Sequence, residues 1–114
     1  MFKIKLKAVF INVVNCVELL KNAFQNTSDG VVMLGTELDK SEGKLRISVS
    51  DHGAGIPADH RDKVFDWFYK VDPNKPGLGL GLPLCREMAA LLGGEVRLDV
   101  NGQGGTMVCL LIPY

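Results

Sequence analysis

Three groups of residues in this sequence have the types and spacing to act together on a phosphorylated ligand. Glu18 and Asn22 are four apart in a helical stretch and therefore share a face. An asparagine oxygen suits magnesium, a hard ion that takes few protein ligands and completes its shell with water and phosphate oxygens. Being neutral, it does not repel a polyphosphate, and a carboxylate one turn away could orient a nucleophile or act as a general base. The plain alternative is a solvated edge of the helix. Asp51-His52-Gly53-Ala54-Gly55-Ile56-Pro57 directly follows a strand-like run. Its carboxylate can only accept hydrogen bonds. Adenine presents an exocyclic amine donor where guanine presents an oxygen, so a buried Asp51 would select adenine. Gly53 and Gly55 would let the chain turn sharply beside the ring; the alternative is an ordinary glycine turn with an Asp bonded locally. Gly77-Leu78-Gly79-Leu80-Gly81 precedes a second helix, where backbone amides and a helix N-terminus favour phosphate oxygens. A glycine run is also a common hinge.

Other phosphate-binding patterns fail on single residues. A dinucleotide fingerprint beginning at Gly79 needs a glycine at position 84, which is Leu84. No Gly-Lys-Ser/Thr exists for a P-loop. His60-Arg61-Asp62 looks like a protein-kinase catalytic triplet, but Trp67 stands where that motif needs Asn. The triplet reads as surface.

These residues need a frame to hold them. Phe2, Ile4 and Leu6 alternate with lysines as a short strand would. From Val9 to Phe24 the spacing is helical, with Phe10, Val13, Val17, Leu20 and Phe24 on one face, and the helix should end near Asn26. Val31 to Leu38 and Lys44 to Ser50 read as paired strands, with Leu45, Ile47 and Val49 on one side. A short helix or turn is expected from about Asp59 to Tyr69, and a linker from Val71 to Gly77. The second helix should run from Leu82 to Leu92, with Pro83 in its first turn and Gly93-Gly94 ending it. Strands near Glu95 to Val100 and Thr106 to Ile112 complete one sheet of about five strands, covered on one face by helices.

With 114 residues the chain is one domain. Thirteen basic residues balance thirteen acidic ones, so nothing points to nucleic acid or an acidic membrane surface as a partner. Cys16, Cys85 and Cys109 are scattered in apolar stretches, which argues against zinc or a disulfide framework and suits a reducing, cytoplasmic setting. Asn12, Asn15 and Glu18 interrupt the first apolar run, so it is neither a signal peptide nor a membrane span. A membrane anchor elsewhere in a longer parent protein is compatible with this sequence.

In order and spacing together, the motifs are far more specific than any one alone. Glu18-Leu-Leu-Lys-Asn22-Ala resembles the N box of the ATP-binding catalytic domain of sensor histidine kinases. Asp51-x-Gly53-x-Gly55-Ile56 resembles their first glycine box, and Val64-Phe65-Asp66-Trp67-Phe68 their phenylalanine box. Gly77-Leu-Gly79-Leu-Gly81-Leu resembles the second glycine box, and Gly104-Gly105-Thr106 the glycine-threonine near the last strand. The resemblance covers nearly the whole chain and implies the Bergerat fold, a two-layer α+β sandwich with a mixed sheet. It implies ATP and magnesium as ligands. Asn22 would hold the metal, and Glu18 would lie near the phosphates; these two are the catalytic candidates. Asp51 would accept the adenine amine beside Gly53, Gly55 and Ile56, with Thr106 supporting the pocket. Phe65 to Gly81 would form a lid, with Lys75, Gly77, Leu78, Gly79, Leu80 and Gly81 at the phosphates.

The family often places Lys three residues after the N-box Asn, followed by an aromatic or basic residue; here these are Gln25 and Asn26. Losing a charged phosphate contact costs about 1.5–3 kcal/mol, roughly ten- to hundredfold in affinity, so modest ATP binding is expected. The implied reaction passes the γ-phosphoryl of ATP to a histidine on a separate dimerisation domain of the parent, and a response regulator acts downstream. Neither His52 nor His60 lies in the acidic helical context of a phosphoacceptor, and no dimerisation helices precede the N box. The fragment should therefore bind ATP without phosphorylating itself, and without touching a membrane. Rival readings are a degenerate nucleotide-binding module, a serine kinase of the anti-sigma type and a pure interaction domain.

Overall fold

The computed structural model describes residues 6–27, 29–53, 55–70, 73–74, 81–100 and 105–113, excluding the side chains of residues 6–10 and 100. Helix α1 spans Leu6–Asn26 and is followed by strands β1 (Val32–Asp39) and β2 (Lys44–Asp51). A single 3-10 turn, Ala58–His60, precedes helix α2 (Gly81–Leu91) and strands β3 (Glu95–Val100) and β4 (Thr106–Pro113). The architecture is α+β.

The sheet has strand order β1-β2-β4-β3. All three pairings are antiparallel, among the described residues, so the expected mixed sheet of five strands is here an antiparallel sheet of four. The physical reason is the connectivity. Two hairpins, β1-β2 and β3-β4, supply two of the pairs, and β4 inserts beside β2 with opposite direction to both neighbours. The strand expected over Phe2–Leu6 lies outside the described residues except for Leu6, which opens α1.

Each hairpin and helix end has an identifiable stop. Asp39 closes the first hairpin by accepting from the Ser41 hydroxyl at 2.7 Å and from the Ser41 and Glu42 amides at 3.1 Å. The Ser41 hydroxyl and then the Glu42 amide hold its carboxyl below the usual range. Gly43 takes φ +65°, which the turn requires. After α2, Gly93 adopts φ +72° and the Gly94 amide returns to the Ala89 carbonyl at 2.9 Å. A Cβ on Gly94 would overlap the Leu111 carbonyl, so β4 passes too close for any other residue.

The core lies between the helices and one face of the sheet. Leu19 and Ala23 of α1 and Leu82, Cys85 and Ala89 of α2 meet Ile47, Val49, Val96, Val108, Leu110 and Ile112. Alternation along β2 puts Ile47 and Val49 inward as expected. Cys85 is completely buried, and this burial pushes its thiol up to about 12. On the opposite sheet face Arg46 donates to Asp99 at 3.2 Å, and the Cys109 thiol donates to the same carboxylate at 3.3 Å.

The buried face of α1 is not the one its apolar periodicity predicts. Val13, Val17 and Phe24 are 55%, 47% and 59% exposed, while Ile11, Asn15, Leu19 and Ala23 face inward. The stripe 13-17-20-24 and the row 11-15-19-23 are each helical in period, so periodicity cannot choose between them. Close approach to α2 favours the row with the small Ala23 and with Asn15, whose backbone carbonyl meets the Cys85 thiol. His60 also departs from the surface reading of its triplet. It is half-buried against the Tyr69 hydroxyl, while Arg61 and Asp62 are exposed as expected.

Candidate nucleotide site

Asp51 is the last residue of β2 and only 2% exposed. A carboxylate is buried only with partners. Its Oδ1 accepts from the backbone amides of Gly53 at 2.9 Å and Thr106 at 3.3 Å. Thr106 is buried at the start of β4, beside the end of β2, so the sheet register itself brings the two together.

The loop after Asp51 returns against the end of α1. A Cβ on Gly53 would overlap the Asn26 carbonyl, which explains glycine there by close approach. Gly55 has φ +77°, the left-handed region that glycine supplies without strain. Ile56 packs against the core and anchors the far end of the loop.

Asn22 and Glu18 lie on the flank of α1 between its buried and exposed faces, and both are half-buried. The Asn22 carbonyl accepts from the Asn26 amide side chain at 2.9 Å. Asn26 thus caps its own helix, and Gln25 is exposed. Glu18 pairs with Lys21 at 3.7 Å and reaches the other helix: a Cβ on Gly81 would be 3.6 Å from its Oε2. The Glu18 carboxylate therefore faces the N-terminus of α2, the end that favours negative charge.

Thus Glu18, Asn22, Asp51, Gly53, Gly55, Ile56, Gly81 and Thr106 are all fixed by α1, the loop after β2, the first residue of α2 and the start of β4. Lys75, Gly77, Leu78, Gly79 and Leu80 lie outside the described residues. At the near end of the predicted lid, Val64 is buried and Phe65 packs on the core, with the Arg86 guanidinium 5.5 Å above its ring. Among the described residues no cluster of three or more His, Cys, Asp or Glu could hold a metal by itself. A site for magnesium would have to share its ligands with phosphate, as that ion commonly does. Sequence reasoning missed Thr27 and Asp29, which hold the loop after Asp51; only their position in the turn after α1 hints at it.

The family model for histidine kinase-, DNA gyrase B- and HSP90-like ATPases matches residues 15–114. The chain belongs to this ATPase family. Within it, similarity is to sensor kinases. The chain is 32% identical over 99 residues to the adaptive-response sensory kinase SasA of Nostoc sp., covering 85% of this chain and 25% of SasA. It is 36% identical over 101 residues to the sensor histidine kinase WalK of Bacillus subtilis, covering 84% of this chain and 16% of WalK. Against the sensor protein KdpD of Rathayibacter rathayi the identity is 42% over 99 residues, covering 83% of this chain and 11% of KdpD. The chain thus spans a quarter or less of these relatives. Among solved structures, full-length ShkA in complex with AMPPNP superposes with a TM-score of 0.80 at 28% identity, covering 91% of this chain and 21% of ShkA. The mycobacterial sensor histidine kinase MprB gives a TM-score of 0.74 at 27% identity, covering 88% of this chain and 70% of that one. The chain is therefore an ATP-binding domain of the histidine kinase type. No helix among the described residues is long and apolar enough to cross a membrane.

Proposed function

We propose that this domain binds Mg-ATP and, within its parent protein, presents the γ-phosphoryl to a histidine on a separate dimerisation domain for two-component signalling. The observation that carries the reading is the buried Asp51 carboxylate, fixed by two backbone amides from different parts of the fold. An acceptor-only group at the end of a central strand selects a ring edge that offers a donor, as adenine does. Thr106 borders it, and in this reading Gly53 and Gly55 keep the loop low enough for a ring to lie over the backbone, with Ile56 packed against the core at the loop's far end.

Asn22 and Glu18 supply oxygen donors at the end of the site where α2 begins, a donor set that fits magnesium. The ion would neutralise phosphate charge, and Asn22 would hold it. The start of α2 at Gly81 offers backbone amides and partial positive charge for phosphate oxygens, with Lys75 and Gly77 to Leu80 preceding it in sequence. Glu18 faces the same helix end and competes there with phosphate, while Gln25 and Asn26 add no cation; both features support modest affinity. Catalysis of phosphoryl transfer is largely positioning and charge neutralisation, so without an acceptor histidine in place the domain holds ATP without passing on its phosphoryl group. A response regulator acts downstream, and the domain works in the cytoplasm.

Calorimetric titration of ADP and a non-hydrolysable ATP analogue, with and without magnesium, tests this in wild type and Asp51→Ala. Magnesium-dependent binding lost in the variant is expected. A wild-type domain that binds neither nucleotide would overturn the reading in favour of a degenerate module.

A further inference from the structure

At least three contacts among the described residues tie the segment after Asp51 to the end of α1 and the turn beyond it. The Gly53 backbone lies against the Asn26 carbonyl. The His52 amide donates to the Thr27 hydroxyl at 3.3 Å, and that hydroxyl donates onward to the Val31 carbonyl at 2.8 Å. The third point joins side chains: His52 Nδ1 and Asp29 Oδ2 are 2.8 Å apart. A carboxylate only accepts, so Nδ1 carries the hydrogen. Asp29 is itself held rigid, because its other oxygen accepts the Val31 amide at 2.9 Å. The fastening lies one turn beyond Asn22 and one residue beyond Asp51, so it spans the two ends of the nucleotide site.

We infer that His52 is a positioning residue, which through Asp29 keeps the Asp51 carboxylate in register with the helix that bears Asn22. The inference rests on the nucleotide reading of the site. The Gly53 contact and the 3.3 Å His52 amide bond hold the backbone, and the ladder pairs Asp51 with Val32 of β1. The His52–Asp29 bond adds a side-chain link between the position next to Asp51 and the turn that follows α1. The pair is half-exposed, with side-chain exposures of 35% and 51%, so its effect on affinity is modest.

The test uses the 114-residue chain with His52→Leu, His52→Asn, Asp29→Ala and the double variant His52→Leu/Asp29→Ala. Asparagine retains a donor where Nδ1 stands; leucine does not. Mg-ADP affinity by calorimetry should fall about three- to tenfold in His52→Leu and in Asp29→Ala, and the double variant should be no weaker than the weaker single. His52→Asn should bind within about twofold of wild type. A second readout needs no nucleotide: the Gly53 and Thr106 amide resonances, whose hydrogens point at Asp51, should move in His52→Leu and Asp29→Ala and return in His52→Asn. Unmoved amides with unchanged binding, or additive losses in the double variant, would overturn the inference. Moved amides in a chain whose wild type binds no nucleotide would sink the functional reading and leave the positioning role standing.

Discussion

The Thr106 amide donates to the Asp51 carboxylate at 3.3 Å, joining residues 55 apart in sequence at the ends of two neighbouring strands. With the Gly53 amide on the same oxygen, the carboxylate is a structural acceptor as well as the proposed recognition group. These two jobs separate by substitution. Asp51→Ala leaves the buried Thr106 amide and the half-buried Gly53 amide without their acceptor and should lower stability by about 1–3 kcal/mol. Asp51→Asn keeps an oxygen for both amides but turns a donor toward the ring edge. It should lose nucleotide binding while its denaturant midpoint stays far closer to wild type, as urea unfolding and calorimetry on the same samples would reveal.

Two glycines of the site should respond in opposite ways. Gly53→Ala drives a methyl group into the Asn26 carbonyl and should displace the loop, reducing nucleotide affinity by at least tenfold. Gly81→Ala places its methyl 3.6 Å from Glu18 Oε2, an ordinary contact, and adds helix propensity of about 1 kcal/mol at the start of α2. The second variant should be as stable as wild type or more so in thermal denaturation.

Asn15 is fully buried, and neither its amide nitrogen nor its oxygen has a partner among the described residues. Burying such a group without a bond costs about 1–3 kcal/mol. Asn15→Leu, close in size and apolar, should raise the unfolding free energy by roughly that amount in urea, with nucleotide affinity unchanged.

The two faces of α1 make a matched pair of tests. Leu19 is 2% exposed in the core, so Leu19→Ala should destabilise by about 2–5 kcal/mol. Val13 is 55% exposed, and Val13→Lys should alter stability by less than about 0.5 kcal/mol. A reversal of these results would restore the face that the apolar periodicity suggests.

The Asp29 carboxyl is lowered to about 2, first by the His52 hydrogen bond and next by the Val31 amide. A carboxylate with a depressed value contributes stability that is present above its unfolded value of roughly 4. That contribution fades as pH falls through about 2. Its side-chain carbon resonance should titrate near pH 2 in wild type and shift back toward the ordinary range in His52→Leu.

Much of the frame was legible because its cues are local. Ser41-Glu42-Gly43 marks the first hairpin, Gly93-Gly94 marks the stop of α2, and the alternation of Leu45, Ile47 and Val49 selects the inner face of β2. The buried face of α1 was not legible. Two apolar rows share the helical period, and the choice between them is made by contact with α2, a long-range fact. The same holds within the site. Asp51 and Gly53 are visible as a motif, but Gly53 is required by an approach to Asn26 that no spacing encodes. The His52–Asp29 bond likewise depends on how α1 ends relative to β2, and Asp29 reads in sequence only as a turn former.

The order β1-β2-β4-β3 has a consequence for how the site comes into being. The outer hairpins close short loops, whereas β2 and β4 must find each other across the whole middle of the chain, a slower and entropically dearer step. Thr106 reaches Asp51 only when that central pairing is made. The proposed adenine end is therefore completed at the same moment as the sheet, and a partly folded domain has no such site to offer. Any ligand held there draws on the global unfolding free energy rather than on a local loop, so binding protects the entire domain at once.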